Sequence, residues 1–200
     1  TDTALFENWM EMVTERSGGA ITFNYQPGGT LGYGSDLILQ AMDGTIQAAV
    51  SGIADFTNYS TLTEAFQLPF LITSYDLEWQ AIQTPEFQAL LDATGEEMGL
   101  YICGVFDSGM RHIGMIDKPI NTMADLSGVK LRTASSELLL DALTTLGASP
   151  IVVNYNEVYS ALQNGVVDGE DVNYLTAVAQ KHYEILGYMS EIGMYPYPSY

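Results

Sequence analysis

Within residues 110–173, short apolar runs alternate with turns and helical stripes, without any internal sequence repeat. The apolar runs are 111–115, 128–132, 151–153 and 166–168. Between the first two, Asn121 or Thr122 opens a short helical turn that ends at Gly128. Ser135 opens a helix that buries Leu138, Leu139, Ala142, Leu143 and Leu146 and closes at Gly147. Asn156 opens another, with Val158, Ala161 and Leu162 inward and Gly165 as its stop. Strands that alternate with helices at this spacing bury their apolar faces as a sheet covered by helices. The expected fold class is therefore α/β. A helix over 173–182 and a strand running into a Gly- and Pro-containing loop complete the chain.

The first hundred residues follow the same pattern. Leu5, Phe6, Trp9, Met10 and Val13 form a helical stripe over 3–16, stopped at Ser17, Gly18 and Gly19. Residues 21–25 alternate as a strand does, and 27–32 form a turn. Ser35 caps a helix reaching Met42, and 46–50 read as a buried strand. Helices are expected over 76–83 and 85–94, the second with Pro85 in its first turn. Residues 100–106 read as a buried strand that holds Cys103 as a small core residue. A length of 200 residues, 47% of them hydrophobic, suffices for one large domain or two small lobes. Counting strand–helix units places the lobe boundary near 107–110. The expected organisation is a first lobe over 1–109, a second over 110–197, and the start of a hinge return at 198–200.

Charge narrows the function. The chain has 25 acidic and 6 basic residues, a net charge of −19. Nucleic acid is not expected as a partner, since phosphate binding needs a basic surface. Docking on an anionic membrane is disfavoured for the same reason. No apolar run approaches the roughly 18 residues of a membrane span, so direct membrane insertion is not expected. Cys103 is the only cysteine, which leaves no internal disulfide and no thiol-rich metal site.

Against this background the arginines stand out. There are three, and Arg111 and Arg132 both fall at predicted strands. Arg132 ends an apolar strand, and ligands of open α/β sheets lie beyond the carboxyl ends of the strands. A guanidinium presents a planar fork that pairs with both oxygens of a carboxylate. A phosphate site would more often show a glycine-rich loop opening a helix, and no lysine follows the loop at Gly28, Gly29 and Gly32. A structural ion pair with one of the many acids is the competing reading. Ser51 follows the 46–50 strand and fits either a ligand contact or a turn. Tyr155 follows the 151–153 strand and fits either a pocket wall or the core. Glu170 and Asp171 could act as acid and base, accept from ligand hydroxyls, or support an arginine.

Enzyme signatures are weak. His112 and His182 are the only histidines and lack metal-ligand spacing. A Cys103–His112 nucleophile pair is opposed by the strand context of the cysteine. No Gly-x-Ser-x-Gly elbow occurs. His182 reads as a helix-surface residue. Neither a metal nor a cofactor is expected.

Several segments carry a resemblance to a known family. They are Gly29-Thr-Leu-Gly32, Gly44-Thr-Ile-Gln47, Phe66-Gln-Leu-Pro69, Arg111, Pro119-Ile120, Asp125-Leu-Ser-Gly-Val-Lys-Leu-Arg132, Leu146-Gly-Ala-Ser-Pro150 and Glu157-Val-Tyr-Ser-Ala-Leu-Gln-Asn-Gly-Val-Val-Asp-Gly169. In order and spacing they resemble the solute-binding proteins of tripartite ATP-independent periplasmic (TRAP) transporters, of the dicarboxylate-binding-protein (DctP) type. The resemblance implies a two-lobed periplasmic-binding-protein fold, type II-like, that closes on a ligand held between its lobes. It implies that Arg132 pairs with the ligand carboxylate, that Arg111 assists, and that Tyr155 lines the pocket. The family asparagine after Val-Val-Asp-Gly falls at Val172, so Asn173 is expected to take its place. Gln47 stands where the family usually has an acid. Ser51, Phe66 and Asp171 complete the expected ligand-binding set.

The implied partners are a small organic acid and the membrane subunits of a TRAP transporter, and the implied location is the periplasm. A sensory module of a receptor is the alternative function, and an enzyme on the same fold ranks last. Family members also start with a signal peptide and a first strand, and continue well past the position of Tyr200. A fold incomplete at both ends is therefore expected, with an exposed apolar edge on the first lobe.

Overall fold

The computed structural model describes residues 2–200, which fall into two compact units, one reaching Gly32 and one running from Tyr33 to Tyr200. In the first, helix α1 (Asp2–Arg16) matches the predicted stripe. The ring of Trp9 packs on Phe23 with centroids 5.4 Å apart. Residues 22–27 form no strand, and Ile21 is exposed. A strand is a paired element, and alternation alone does not supply the partner.

The second unit begins with helices α2 (Ser35–Met42), α3 (Ile53–Phe56), α4 (Tyr75–Ile82) and α5 (Pro85–Met98). Of the caps expected from the sequence, Thr122 forms its box with Asp125. The others shift: Gly34 rather than Ser35 precedes α2, and Ser136 rather than Ser135 caps the helix Glu137–Thr145. The helix expected to open at Asn156 begins at Val158 without a side-chain cap. Ser74 accepts from the Leu77 amide and Thr84 from the Phe87 amide, while Pro85 occupies the first turn of α5. Seven strands follow: β1 (Phe106–Met110), β2 (His112–Met115), β3 (Lys130–Thr133), β4 (Ser149–Val152), β5 (Gly169–Val172), β6 (Tyr188–Ser190) and β7 (Pro196–Ser199). Helices α6 (Glu137–Thr145), α7 (Val158–Gln163) and α8 (Tyr174–Ala179) lie between them in sequence.

Strands β4, β3, β5, β2 and β6 make one sheet in that order. Pairing is parallel between β3 and β4 and between β3 and β5, and antiparallel on both sides of β2. Arg132 thus sits between Ile151 of β4 and Glu170 of β5. A separate antiparallel ribbon pairs β1 with β7. The chain at Ser51 extends it, exchanging backbone hydrogen bonds with Tyr200 at 3.0 and 3.1 Å.

Two main hydrophobic cores result. One gathers Ile38, Ile53, Phe56, Phe87, Leu91, Met98, Ile102 and Tyr200. The other gathers Ile113, Met115, Leu126, Leu131, Leu139, Leu143, Met194 and Tyr195. Tyr197 of β7 packs against both. This mixed α/β architecture is the fold class that the helix–strand alternation called for.

Other expectations change as well. Residues 46–50 and 100–105 form no strand, because no described segment lies alongside them to pair. Cys103 is accordingly exposed rather than a core residue. Val50, Trp79 and Tyr101 are exposed as well, Tyr101 at 82%. The strand expected at 166–168 lies instead at Gly169–Val172, where every residue is buried, Glu170 and Asp171 included.

One buried acid faces the ribbon at Asp107. Glu78 of α4 is 2% exposed, and neither carboxylate oxygen has a hydrogen-bond donor. Burial and the facing carboxyl of Asp107 push its pKa up to about 7. The folded protein therefore prefers the protonated form. That preference stabilises the fold fully below the ordinary carboxylate value and is lost as pH rises through about 7. Stability in urea is expected to fall by about 2 kcal/mol between pH 5 and 8. Glu78→Gln should flatten that profile, and parallel profiles for the two proteins would refute the assignment.

Candidate functional site

Arg132 closes β3 and is 6% exposed. Its Nε and one Nη donate to the Val153 carbonyl at 3.0 and 2.9 Å. That carbonyl, just past β4, fixes the plane of the guanidinium. Among the described residues no carboxylate lies within ion-pair distance of it. A buried guanidinium with remaining donors has the chemistry to pair with an anion.

Arg111 joins β1 to β2 and is 4% exposed, but its situation differs. Its Nε and Nη2 lie 3.3 Å from Asp171 Oδ2, and Nη2 also donates to the Asp171 carbonyl. The Tyr195 hydroxyl donates to the same carboxylate oxygen. The guanidinium stacks over the Tyr197 ring, 4.6 Å from its centroid. Burial by itself would weaken its proton, but Asp171, helped by Tyr195, Tyr197 and Glu170, outweighs burial and raises its pKa. Burial likewise pushes both tyrosine hydroxyls above their ordinary value. Arg111 is thus committed to a buried Arg–Asp–Tyr cluster that holds Tyr197 in place.

From the other side, α3 brings Asp55. Ser51 Oγ donates to Asp55 Oδ2 at 2.7 Å. Burial raises the Asp55 pKa, against the Ser51 hydrogen bond, the charge of Arg132 and the Gly52 amide. Gly34 permits the close fit: at φ 53° and without a side chain, it leaves the space where a Cβ would stand 2.8 Å from Asp55 Oδ1. Tyr155 is 37% exposed, and its ring lies 6.1 Å from that of Tyr33. Asn173 is 2% exposed and caps α8, its Oδ1 accepting from the Thr176 amide at 2.7 Å. The cap uses the carboxamide oxygen and leaves the NH2 group as a donor. Val172 is fully buried, so the aliphatic residue serves the sheet and the amide begins the helix. Phe66 packs on Phe87 at 4.6 Å in the first core. Of the expected set, the chain around Arg132 and Arg111 collects Ser51 through Asp55, and Asp171 directly.

The histidines are both structural. His182, expected on a helix surface, is 1% exposed, and its Nδ1 meets Glu170 Oε1 at 2.6 Å. His112 Nδ1 accepts from the Gly193 amide at 3.0 Å, and its ring packs on Tyr174. The Cys103 thiol instead lies 3.9 Å from the Tyr101 carbonyl. Among the described residues no group of three or more His, Cys, Asp or Glu is placed to hold a metal ion. No described helix is long and apolar enough to cross a membrane.

The family model for bacterial extracellular solute-binding proteins, family 7 (DctP), matches residues 1–200. The chain belongs to this family. The uncharacterised protein YiiZ of Salmonella typhimurium is 30% identical over 178 residues, covering 89% of this chain and 54% of that protein. The TRAP periplasmic solute-binding protein of Sulfitobacter sp. NAS-14.1, solved with bound β-D-galacturonate, superposes with a TM-score of 0.92. It is 29% identical and covers 97% of this chain and 64% of that one. Its counterpart from Roseobacter denitrificans, with bound β-D-glucuronate, gives 0.93 at 27% identity, covering 99% and 65%. The chain thus spans about half the length of the curated relative it matches.

In this DctP-family chain the residues of the candidate site that sequence reasoning missed are Asp55, Tyr195 and Tyr197. Asp55 had a faint signal, four residues after Ser51 at a helix start. The tyrosines alternate with Pro196 and Pro198, which read as a loop. Gly52 shows how tightly Tyr197 fits: a Cβ there would come within 2.4 Å of the ring. Gly52→Ala is expected to cost about 1–3 kcal/mol through overpacking, read as a lower urea midpoint with an unchanged slope. A neutral outcome would mean that Tyr197 is free to move.

Proposed function

We propose that this chain is the ligand-capturing part of an extracytoplasmic solute-binding protein. It takes a small organic acid, a sugar acid such as a uronate, between its two lobes and passes it to the membrane subunits of a TRAP transporter. The observation that carries this reading is Arg132, a buried guanidinium with open donors and no carboxylate partner. In this reading Arg132 anchors the ligand carboxylate and the Asn173 amide adds a second donor. Tyr155 forms a wall, and Arg111 acts through Asp171 and Tyr197. The solved relatives that carry galacturonate and glucuronate support the ligand class. In this reading the protein acts by binding and release rather than by turnover, as its family of solute-binding proteins suggests.

The test is a thermal-shift screen of the full chain against uronates, aldonates, keto acids and dicarboxylates, with neutral sugars and amines as controls. A ligand at 100 times its Kd is expected to add about 2.7 kcal/mol of stability. Shifts with neutral or cationic solutes and none with acids would overturn the proposal.

A further inference from the structure

The β1–β7 ribbon carries the chain between the two main cores. Ile102 before it and Tyr200 after it belong to one core, Ile113 and Tyr195 to the other. A hinge is absorbed by a few residues at element ends, so side-chain contacts between the two halves decide how readily they part. Asn58 makes such a contact. It follows α3, whose Ile53 and Phe56 lie in the first core, and it is exposed. Its Nδ2 donates to Ser35 Oγ, at the start of α2, at 3.1 Å. It donates also to the Ser135 carbonyl, 77 residues away, at 3.1 Å. The Asp55 carbonyl is more distant, at 3.5 Å. Ser135 lies between β3 and α6, with Ala134 and Leu139 of the other core on either side. A carboxamide NH2 has two donors, and here each half takes one. Ser135 follows Arg132 by three residues, so the bond ties the segment leaving the Arg132 strand to α3. Two residues before Ser35, the Tyr33 ring lies 6.1 Å from that of Tyr155, a second bridge between the halves.

On the reading that Arg132 anchors a ligand held between two lobes, we infer that Asn58 is the latch of the closed form: a positioning residue that sets how long the ligand stays without touching it. When the halves part, the Asn58 amide and the Ser135 carbonyl both return to water. The bond therefore counts for the closed form alone, with the modest net strength of a hydrogen bond exchanged against water. Apparent affinity scales with the population of the binding-competent form, so loss of the bond weakens every ligand by the same factor. The factor falls on dissociation, because encounter takes place in the open form. The acceptor is a backbone carbonyl, which makes the latch one-sided. A carboxylate at position 58 has no proton to donate and sets two acceptors against each other.

The experiment is stopped-flow measurement of association and dissociation for the full chain and its Asn58 variants with D-galacturonate and D-gluconate, beside urea melts. Asn58→Ala is expected to raise the dissociation rate about threefold to tenfold for both acids, with the association rate and the urea midpoint unchanged. Asn58→Asp should raise it further. Asn58→Gln, whose longer side chain keeps the NH2 group, should recover part of the loss. Unchanged dissociation rates in Asn58→Ala and Asn58→Asp, with binding still abolished by Arg132→Ala, would overturn the latch and leave the anchor intact. A loss that differs tenfold between the two acids would put Asn58 in contact with the ligand and overturn the latch as well. A urea midpoint lowered in Asn58→Ala would overturn it in favour of a structural role. If the unmodified chain binds no acid, the proposed function fails and small-angle scattering tests the latch by itself. Asn58→Asp should then increase the radius of gyration, and an equal radius would overturn the latch too.

Discussion

Arg132→Ala is expected to weaken carboxylate binding by about 2–5 kcal/mol, roughly thirtyfold to several thousandfold. The guanidinium is fixed on the Val153 carbonyl by two hydrogen bonds and keeps its other donors for a ligand. Truncation would leave a desolvated ligand carboxylate without its counter-charge. Arg132→Lys should recover only part of the loss, since a single ammonium cannot make the paired contact to Val153 and still present a fork. The fold itself should be less affected, because the side chain's described protein partner is a single carbonyl. Calorimetric titration with a uronate, alongside a urea melt, separates the two effects. Binding within threefold of the parent protein would remove Arg132 as the anchor. Arg111→Ala should weaken binding less directly and destabilise the protein more, since its guanidinium contacts are to Asp171 and Tyr197.

Asp171→Ala is expected to cost about 3–5 kcal/mol of stability. Asp171 is fully buried on β5 and takes hydrogen bonds from Arg111 and from the Tyr195 hydroxyl. Its removal leaves a buried guanidinium without an anion and a buried hydroxyl without an acceptor. Replacing both charges, Arg111→Met with Asp171→Leu, should restore much of the loss, because the penalty comes from the unpaired charge. A double-mutant cycle in urea measures the coupling. A loss under about 1 kcal/mol for Asp171→Ala would show that water or a shifted side chain already compensates Arg111.

The sequence by itself determined much of the sheet. The runs at 111–115, 128–132 and 151–153 appear as β2, β3 and β4, each within a few residues. Their apolar residues face a core that neighbouring helices cover, and local periodicity reports that directly. Arg132 was legible because it interrupts such a run at its carboxyl end. Strand β5 lies three residues beyond the apolar run at 166–168, because its two acids, Glu170 and Asp171, carry no local signal of a buried strand. Both are buried because each meets a distant partner, His182 in one case and Arg111, 60 residues away, in the other.

The same limit explains the remaining differences. His182 became a core residue only through Glu170. Residues 46–50 and 100–105 have strand-like composition, but a strand forms when another segment completes its hydrogen-bond ladder. Asp55 meets Ser51, and Tyr197 lies under the Arg111 guanidinium, through contacts that neither residue's local sequence announces. Periodicity is a property of neighbours along the chain. Charge pairing and strand pairing are properties of neighbours in space, and tertiary structure alone decided them.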